Sequence, residues 1–277
     1  MKDTVPIFIV SSGRSGTQMM HKILGEFFEV ETQHEYLLHY VKPLAVKFRA
    51  GLIGIDVVKN ELIKLYGSAI LYTEKKIWVD TSYALSWIIK PLYGVFPNAR
   101  FVHLVRDGRK VVSSFYHKLT DEIYDNRRTA IIERWLKNPG SIPEPPPEKR
   151  YWWYVPVNEP QIYREFQGYS QFERICFHWK DVNEWALKGL ASVPEQQKYF
   201  TRLENIIQSK NFLRALIEFI GLEYHDSLFM LLDRPHNVNR PEDYPLTREE
   251  LASFKRIAWD IMERFGYDRE EEYRMKY

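Results

Sequence analysis

Ser11-Ser12-Gly13-Arg14-Ser15-Gly16-Thr17 joins a β-like run, Val5 to Val10, to a helix-like run. Gly13 and Gly16 allow backbone angles that a side chain forbids, so successive N–H groups can converge on one anion. A helix beginning at Thr17 would point its N-terminal field at the same place. Arg14 adds a planar, permanently charged fork, and Ser12, Ser15 and Thr17 add hydroxyls. The candidate anion-holding set is therefore Ser12, Gly13, Arg14, Ser15, Gly16 and Thr17. A second constellation, Arg106-Asp107-Gly108-Arg109, ends another apolar run, and Ser114 follows Arg106 by eight residues. On a helix that spacing spans about two turns, so Ser114 can face the anion that Arg106 attracts. Two phosphate sites on one scaffold call for a ligand with phosphates at both ends of a nucleoside.

These motifs need a scaffold that brings them to one edge. Val5–Val10 and Arg100–Val105 are short, apolar and rich in β-branched residues, as strands of a parallel sheet are. Strand-like runs fall near residues 5–11, 76–80, 100–105 and 198–203, with helix-like segments between them. Thr17–Phe27, Lys110–Lys118 and Gln161–Leu187 read as helices, the last with Trp179 and Trp185 as core. This alternation predicts an α/β fold of P-loop-like, three-layer type, its mostly parallel central sheet flanked by helices. In such sheets ligands gather at the carboxyl ends of the strands, where both motifs lie. The nucleoside-triphosphate loop Gly-x-x-x-x-Gly-Lys-Ser/Thr is not matched, because Thr17 follows Gly16 directly and the phosphate-holding lysine is missing.

Taken together, the motifs resemble those of the sulfotransferases that use 3′-phosphoadenosine 5′-phosphosulfate (PAPS). Gly13–Thr17 looks like the family's 5′-phosphosulfate loop in its Gly-Arg-Ser-Gly-Thr form, as in the bacterial and carbohydrate-type branch. Phe101–Ser114 is similar to its 3′-phosphate motif. Trp78-Val79-Asp80-Thr81-Ser82 stands where many members have a strand followed by Asp-Lys-Thr-Pro. Tyr199–Ile206 resembles the Arg-Tyr-Glu-Asp-Leu strand end, and Phe219–Tyr224 the Phe-Leu-Gly-Leu turn. The chain departs from the pattern at three places: Thr81 replaces the lysine, Met19 stands where some members stack an aromatic ring on adenine, and Leu203 replaces a tyrosine. With no lysine there, Arg14 must supply most of the positive charge. The resemblance implies transfer of a sulfuryl group from PAPS to an acceptor hydroxyl, releasing 3′-phosphoadenosine 5′-phosphate (PAP), without metal. It also implies a late basic loop over the 3′-phosphate, for which Arg240 is the candidate and Arg234 the alternative.

Such a reaction needs a base, because a neutral hydroxyl is a poor nucleophile. Thr32-Gln33-His34-Glu35-Tyr36 follows the first helix and returns to the ligand edge. By resemblance to the branch with a glutamate base, Glu35 is the candidate and His34 its understudy; otherwise Glu35 opens the next helix, where carboxylates are favoured. The histidine base of the cytosolic branch would align near Tyr83, so that branch fits poorly. His103, inside a strand, reads as core, and His117 as a residue that orients the second motif. A carbohydrate or glycoside is the first expected acceptor, a lipid or polyketide alcohol the next. Two alternatives stay open, a nucleotide kinase-like phosphotransferase and a non-catalytic PAP-binding protein.

The rest of the chain bounds this reading. Its 277 residues suffice for one α/β domain over 1–277 with a sizeable core. Lys and Arg number 39 against 37 Asp and Glu, so no bulk attraction to nucleic acid is implied. The single cysteine, Cys176, excludes an internal disulfide and fits a reducing, cytoplasmic setting. No run of about 18 apolar residues exists to cross a membrane, and the early strand and glycine loop lead to the expectation of no signal peptide. The oligomeric state is not legible. Prolines at 143 and 145–147 predict an extended loop over about 138–156, and Trp152-Trp153-Tyr154 follow those prolines within it. These aromatics read as a plug packing the loop onto the sheet, or as an acceptor platform.

Overall fold

The computed structural model describes residues 4–233 and 244–269. Five strands form one parallel sheet: β1 (Val5–Val10), β2 (Val30–His34), β3 (Ile77–Thr81), β4 (Arg100–Val105) and β5 (Lys198–Arg202), in the order β2-β3-β1-β4-β5. The connections carry twelve described helices. These are α1 (Thr17–Leu24), α2 (Leu38–Arg49), α3 (Ile55–Tyr72), α4 (Ile89–Val95), α5 (Gly108–Lys118), α6 (Asn126–Lys137), α7 (Pro160–Gln167), α8 (Gln171–Leu190), α9 (Leu203–Gln208), α10 (Lys210–Ile220), α11 (Asp226–Met230) and α12 (Arg248–Arg264).

The strands are apolar on both sides because both faces are covered. In β1, Phe8 and Val10 join a core with Trp78, Phe101, α2, α3, α5, α8 and α12. Ile7 and Ile9 point the other way, to Val79, Val102, α1 and α10. This two-residue alternation against two helical layers makes the three-layer α/β architecture. The strand order reverses at β1, so the loops after β1, β3 and β4 meet over the centre of the sheet.

Three expectations needed correction. β2 extends to His34, a strand whose polar Glu31, Thr32 and Gln33 hide it from a search for apolar runs. Gln161–Leu187 is not one helix: α7 ends at Gln167, and Ser170 starts α8 with a capping box closed by Glu173. Trp185, read as core, is only partly buried.

The proline-rich segment ends in a plug. Trp152, Trp153 and Tyr154 are all buried, and the two indole N–H groups donate to Pro146 O at 2.8 Å and Glu122 O at 2.7 Å. Arg49 at the end of α2 ties this region to α8, contacting Asp181 at 2.5 Å and Glu159 at 2.9 Å. His103 is core, with Nε2 3.0 Å from Asn183 Oδ1, and Cys176 is buried. No described helix is long and apolar enough to cross a membrane.

Candidate nucleotide and transfer site

The glycine loop is left-handed at three of its residues, Gly13 (φ 83°), Arg14 (φ 54°) and Gly16 (φ 90°). The glycines are fixed by packing as well as by angle. A Cβ on Gly13 would meet Phe115 Cζ at 2.8 Å, and one on Gly16 would meet Leu203 Cδ1 at 2.7 Å. Leu203, where the family pattern has a tyrosine, therefore presses on the loop. Internal bonds shape it further: Gly13 N donates to Ser11 Oγ at 3.1 Å, Ser15 Oγ donates to Gly13 O at 3.0 Å, and the Ser12 and Ser15 hydroxyls lie 3.2 Å apart. Gly16 caps α1 without a side chain, so the first helical N–H groups face the loop with no side-chain acceptor. Thr17 is buried at that first turn.

The second motif touches the first. Arg106 Nη1 donates to Arg14 O at 2.9 Å, and Arg14 Nε donates to Ser114 Oγ at 3.0 Å. The two clusters thus share one edge, closer than two remote ends of a ligand would require. Burial first, and then Arg106, push the Arg14 guanidinium below its usual range, with Glu35 acting the other way. Lys118 is also lowered, by burial and by these same two arginines, so three cations crowd one spot. Buried Arg106 Nε has no hydrogen-bond partner among the described residues. Repelling cations with an unsatisfied donor are what an anion would stabilise. This fits the phosphates of a nucleotide.

Other elements hold the motif in place. Asp107 caps α5 by accepting from Arg109 N at 2.9 Å and also binds the Arg109 side chain, Nη2 to Oδ2 at 2.6 Å. Its own N–H donates to Glu204 Oε1 at 3.0 Å, and the Tyr267 hydroxyl donates to Glu204 Oε2 at 2.7 Å. His117, expected to orient the motif, stacks on Tyr244 at 4.7 Å between ring centroids. Beneath the loop, His178 Nε2 lies 3.1 Å from Ser12 O, and Ser86 Oγ donates to Ser11 O at 2.8 Å. Arg240 and its alternative Arg234 lie outside the described residues.

Glu35 follows β2 in a left-handed conformation, φ 55°, rather than as a residue of α2, which begins at Leu38. Its N–H donates to Thr81 O at 3.2 Å, and the next N–H, of Tyr36, donates to Asp80 Oδ1 at 3.2 Å. Among the described residues nothing hydrogen-bonds the Glu35 carboxylate, yet it acts electrostatically on Arg14, Lys42, Asp80 and Tyr83. Asp80 is fully buried, accepts from the Tyr66 hydroxyl at 2.9 Å, and is pushed up by burial to about 7. His34 is committed elsewhere, with Nδ1 2.9 Å from both the carbonyl and the hydroxyl oxygens of Thr81.

Lys42 was missed in the sequence. It is wholly buried on α2, Nζ donating to Lys149 O at 2.7 Å and sitting 3.2 Å above the Trp153 ring centroid. Burial pushes its ammonium far down, and Glu35 partly offsets this. Its position in the sequence is that of any lysine on an amphipathic helix. The only clue was a charged residue on an apolar face next to Val41 and Leu44.

Residues 54–138 match the model of the sulfotransferase family. That segment holds β3, β4 and the Arg106/Ser114 pair. The fold is shared with a sulfotransferase from Alicyclobacillus acidocaldarius (TM-score 0.51, 12% identity, 96% of each chain). It is shared as well with a sulfotransferase from Mycobacterium avium (TM-score 0.52, 10% identity, covering 100% of this chain and 79% of that one). No curated protein matches the sequence. The chain thus shares its fold with these two sulfotransferases, and the family model matches the part of it over residues 54–138.

Proposed function

We propose that this protein is a PAPS-dependent sulfotransferase acting on the hydroxyl of a small acceptor. The observation that carries the reading is the direct contact of Arg106 and Ser114 with Arg14, which concentrates cations and hydroxyls where a nucleoside 3′,5′-bisphosphate has its charge. The amides of the Gly13–Thr17 loop, with the hydroxyls of Ser12, Ser15 and Thr17, hold the 5′-phosphate side. Arg106 and Ser114 hold the 3′-phosphate once Ser114 exchanges Arg14 for the ligand. Arg14 is then released toward the charge that develops on the leaving phosphate.

Sulfuryl transfer asks little covalent chemistry of the protein and much positioning. Glu35 removes the acceptor proton; its carboxylate has no competing hydrogen bond among the described residues and lies in the field of Arg14 and Lys42. His34, tied to Thr81, is assigned to shaping the Glu35 turn. The exposed Leu37 and Tyr40 beside Glu35, with the Trp152–Tyr154 plug buried, favour an acceptor with an apolar body, such as a lipid or polyketide alcohol, over a sugar.

The test is transfer of labelled sulfate from PAPS across a panel of sugars, glycosides, lipid alcohols and phenols, with wild type and Glu35→Gln. Turnover by wild type with at least one acceptor, and a fall of about 10²-fold or more in Glu35→Gln, is expected. Equal turnover by both removes Glu35 from its role, and absence of transfer with every acceptor removes the reading.

A further inference from the structure

Tyr83 opens the 3₁₀ turn after β3, Tyr83–Trp87, and is only 4% exposed. Its ring is packed on several sides. It stacks on Trp153 at 5.8 Å with an interplanar angle of 14°, lies under Lys42 Nζ at 5.1 Å, and places Cγ 3.7 Å from where a Cβ on Gly13 would sit. Its hydroxyl is buried and, among the described residues, has no hydrogen-bond partner; the neighbouring Ser82 hydroxyl is in the same state. A buried hydroxyl with no acceptor costs free energy that the fold does not recover here. The ring is packed between Trp153, Lys42, His178 and the glycine loop, so this unsatisfied donor is carried on a fixed support.

We infer that Tyr83 is a further catalytic residue, whose hydroxyl donates a hydrogen bond to an oxygen of the sulfuryl group as it passes from the nucleotide to the acceptor. The inference rests on the sulfuryl-transfer reading above. In the step, the acceptor oxygen–sulfur bond forms while the bond from sulfur to the 5′-phosphate oxygen breaks. The electron pair of the broken bond stays on that oxygen, the acceptor proton goes to Glu35, and Tyr83 keeps its own proton. Burial and the Glu35 charge both push the Tyr83 hydroxyl well above its usual range, so it serves as donor and not as base. A rigid donor aimed at developing charge acts without reorganisation, and its value is greatest in a site closed to water.

Tyr83→Phe tests this with three readouts: melting temperature without ligand, PAP affinity by calorimetry, and kcat with the best acceptor. The melting temperature is expected to hold or rise, because an unpartnered hydroxyl is removed from an otherwise conserved ring. PAP affinity is expected to stay at the wild-type value, and kcat to fall about 10²-fold, as for loss of one preorganised donor. Unchanged kcat overturns the assignment. So does a lower melting temperature, which would mean that the hydroxyl serves the fold, or a parallel loss of PAP affinity, which would place it on the nucleotide instead. Wild-type protein that binds PAP but transfers to no acceptor defeats the sulfuryl-transfer reading itself. A wild type that turns over no faster than Tyr83→Phe defeats only the role of Tyr83.

Discussion

Arg106 donates one hydrogen bond to the Arg14 carbonyl and holds a second, buried N–H with no acceptor among the described residues. A phosphate oxygen would satisfy that N–H. Charge-assisted bonds of this kind contribute about 1.5–3 kcal/mol, so Arg106→Ala should weaken PAP about ten- to hundredfold in a calorimetric titration. Ser114→Ala should cost less, since a neutral hydroxyl is the weaker donor and Arg14 is freed by the change. Gly13 gives a stability prediction at the same scale. Alanine there is forced to φ 83° and against the Phe115 ring, so Gly13→Ala should lose at least about 1–2 kcal/mol in chemical denaturation. An unchanged midpoint would mean that the loop relaxes freely.

α2 is the element that carries most of what the sequence concealed. It starts just after Glu35, buries Lys42 under Trp153, and ends at Arg49, which pairs with Asp181 on α8. Both side chains of that pair are almost wholly buried, at 6% and 4% exposure, and Asp181 Oδ2 also accepts from Trp87 Nε1 at 2.8 Å. Removing one member strands the other charge, so Arg49→Met should cost about 3–5 kcal/mol and lower the melting temperature. Glycine loops and apolar strands were legible because their chemistry is local: Gly13 and Gly16 announce a left-handed turn, and Arg100–Val105 announces a buried strand. β2 is not among the apolar runs because the outer strand of a sheet carries polar residues. Lys42 and Arg49 were not singled out at all, and Asp80 was read only as part of the Trp78–Ser82 motif. Their partners lie far off in sequence, as with Arg49 and Asp181, and one chain gives no local sign that such charges are buried together.

For the whole molecule, buried histidines and buried carboxyl groups act on the response to pH in opposite directions. His103 and His178 are pushed down by burial to about 4 and about 3, and are neutral in the fold. In the unfolded chain they take up protons below about 6.5, so their contribution is complete above that pH and is lost on acidification toward 4. Asp80 works in the opposite direction. Its folded value of about 7 lies above that of an unfolded aspartate, so its contribution is greatest below about 4 and is lost as pH rises toward 7. Asp181 and Glu204, also raised by burial, act in the same direction as Asp80, while each buried histidine adds a slope of about 1.4 kcal/mol per pH unit between pH 6.5 and 4.5. His103→Gln should flatten that slope by one proton, and a slope that does not change would mean that His103 is not neutral in the fold. The three-layer fold was legible from the alternation of strands and helices; what it serves depends on the two motifs meeting over β1. The most direct measurement is a metal-free calorimetric comparison of PAP, 5′-AMP and ATP on the wild type and Arg106→Ala. PAP should bind most tightly to wild type, and Arg106→Ala should bring it down to the level of AMP. Equal binding of AMP and PAP by wild type, or tighter binding of ATP, would contradict a site built for two phosphates on one adenosine.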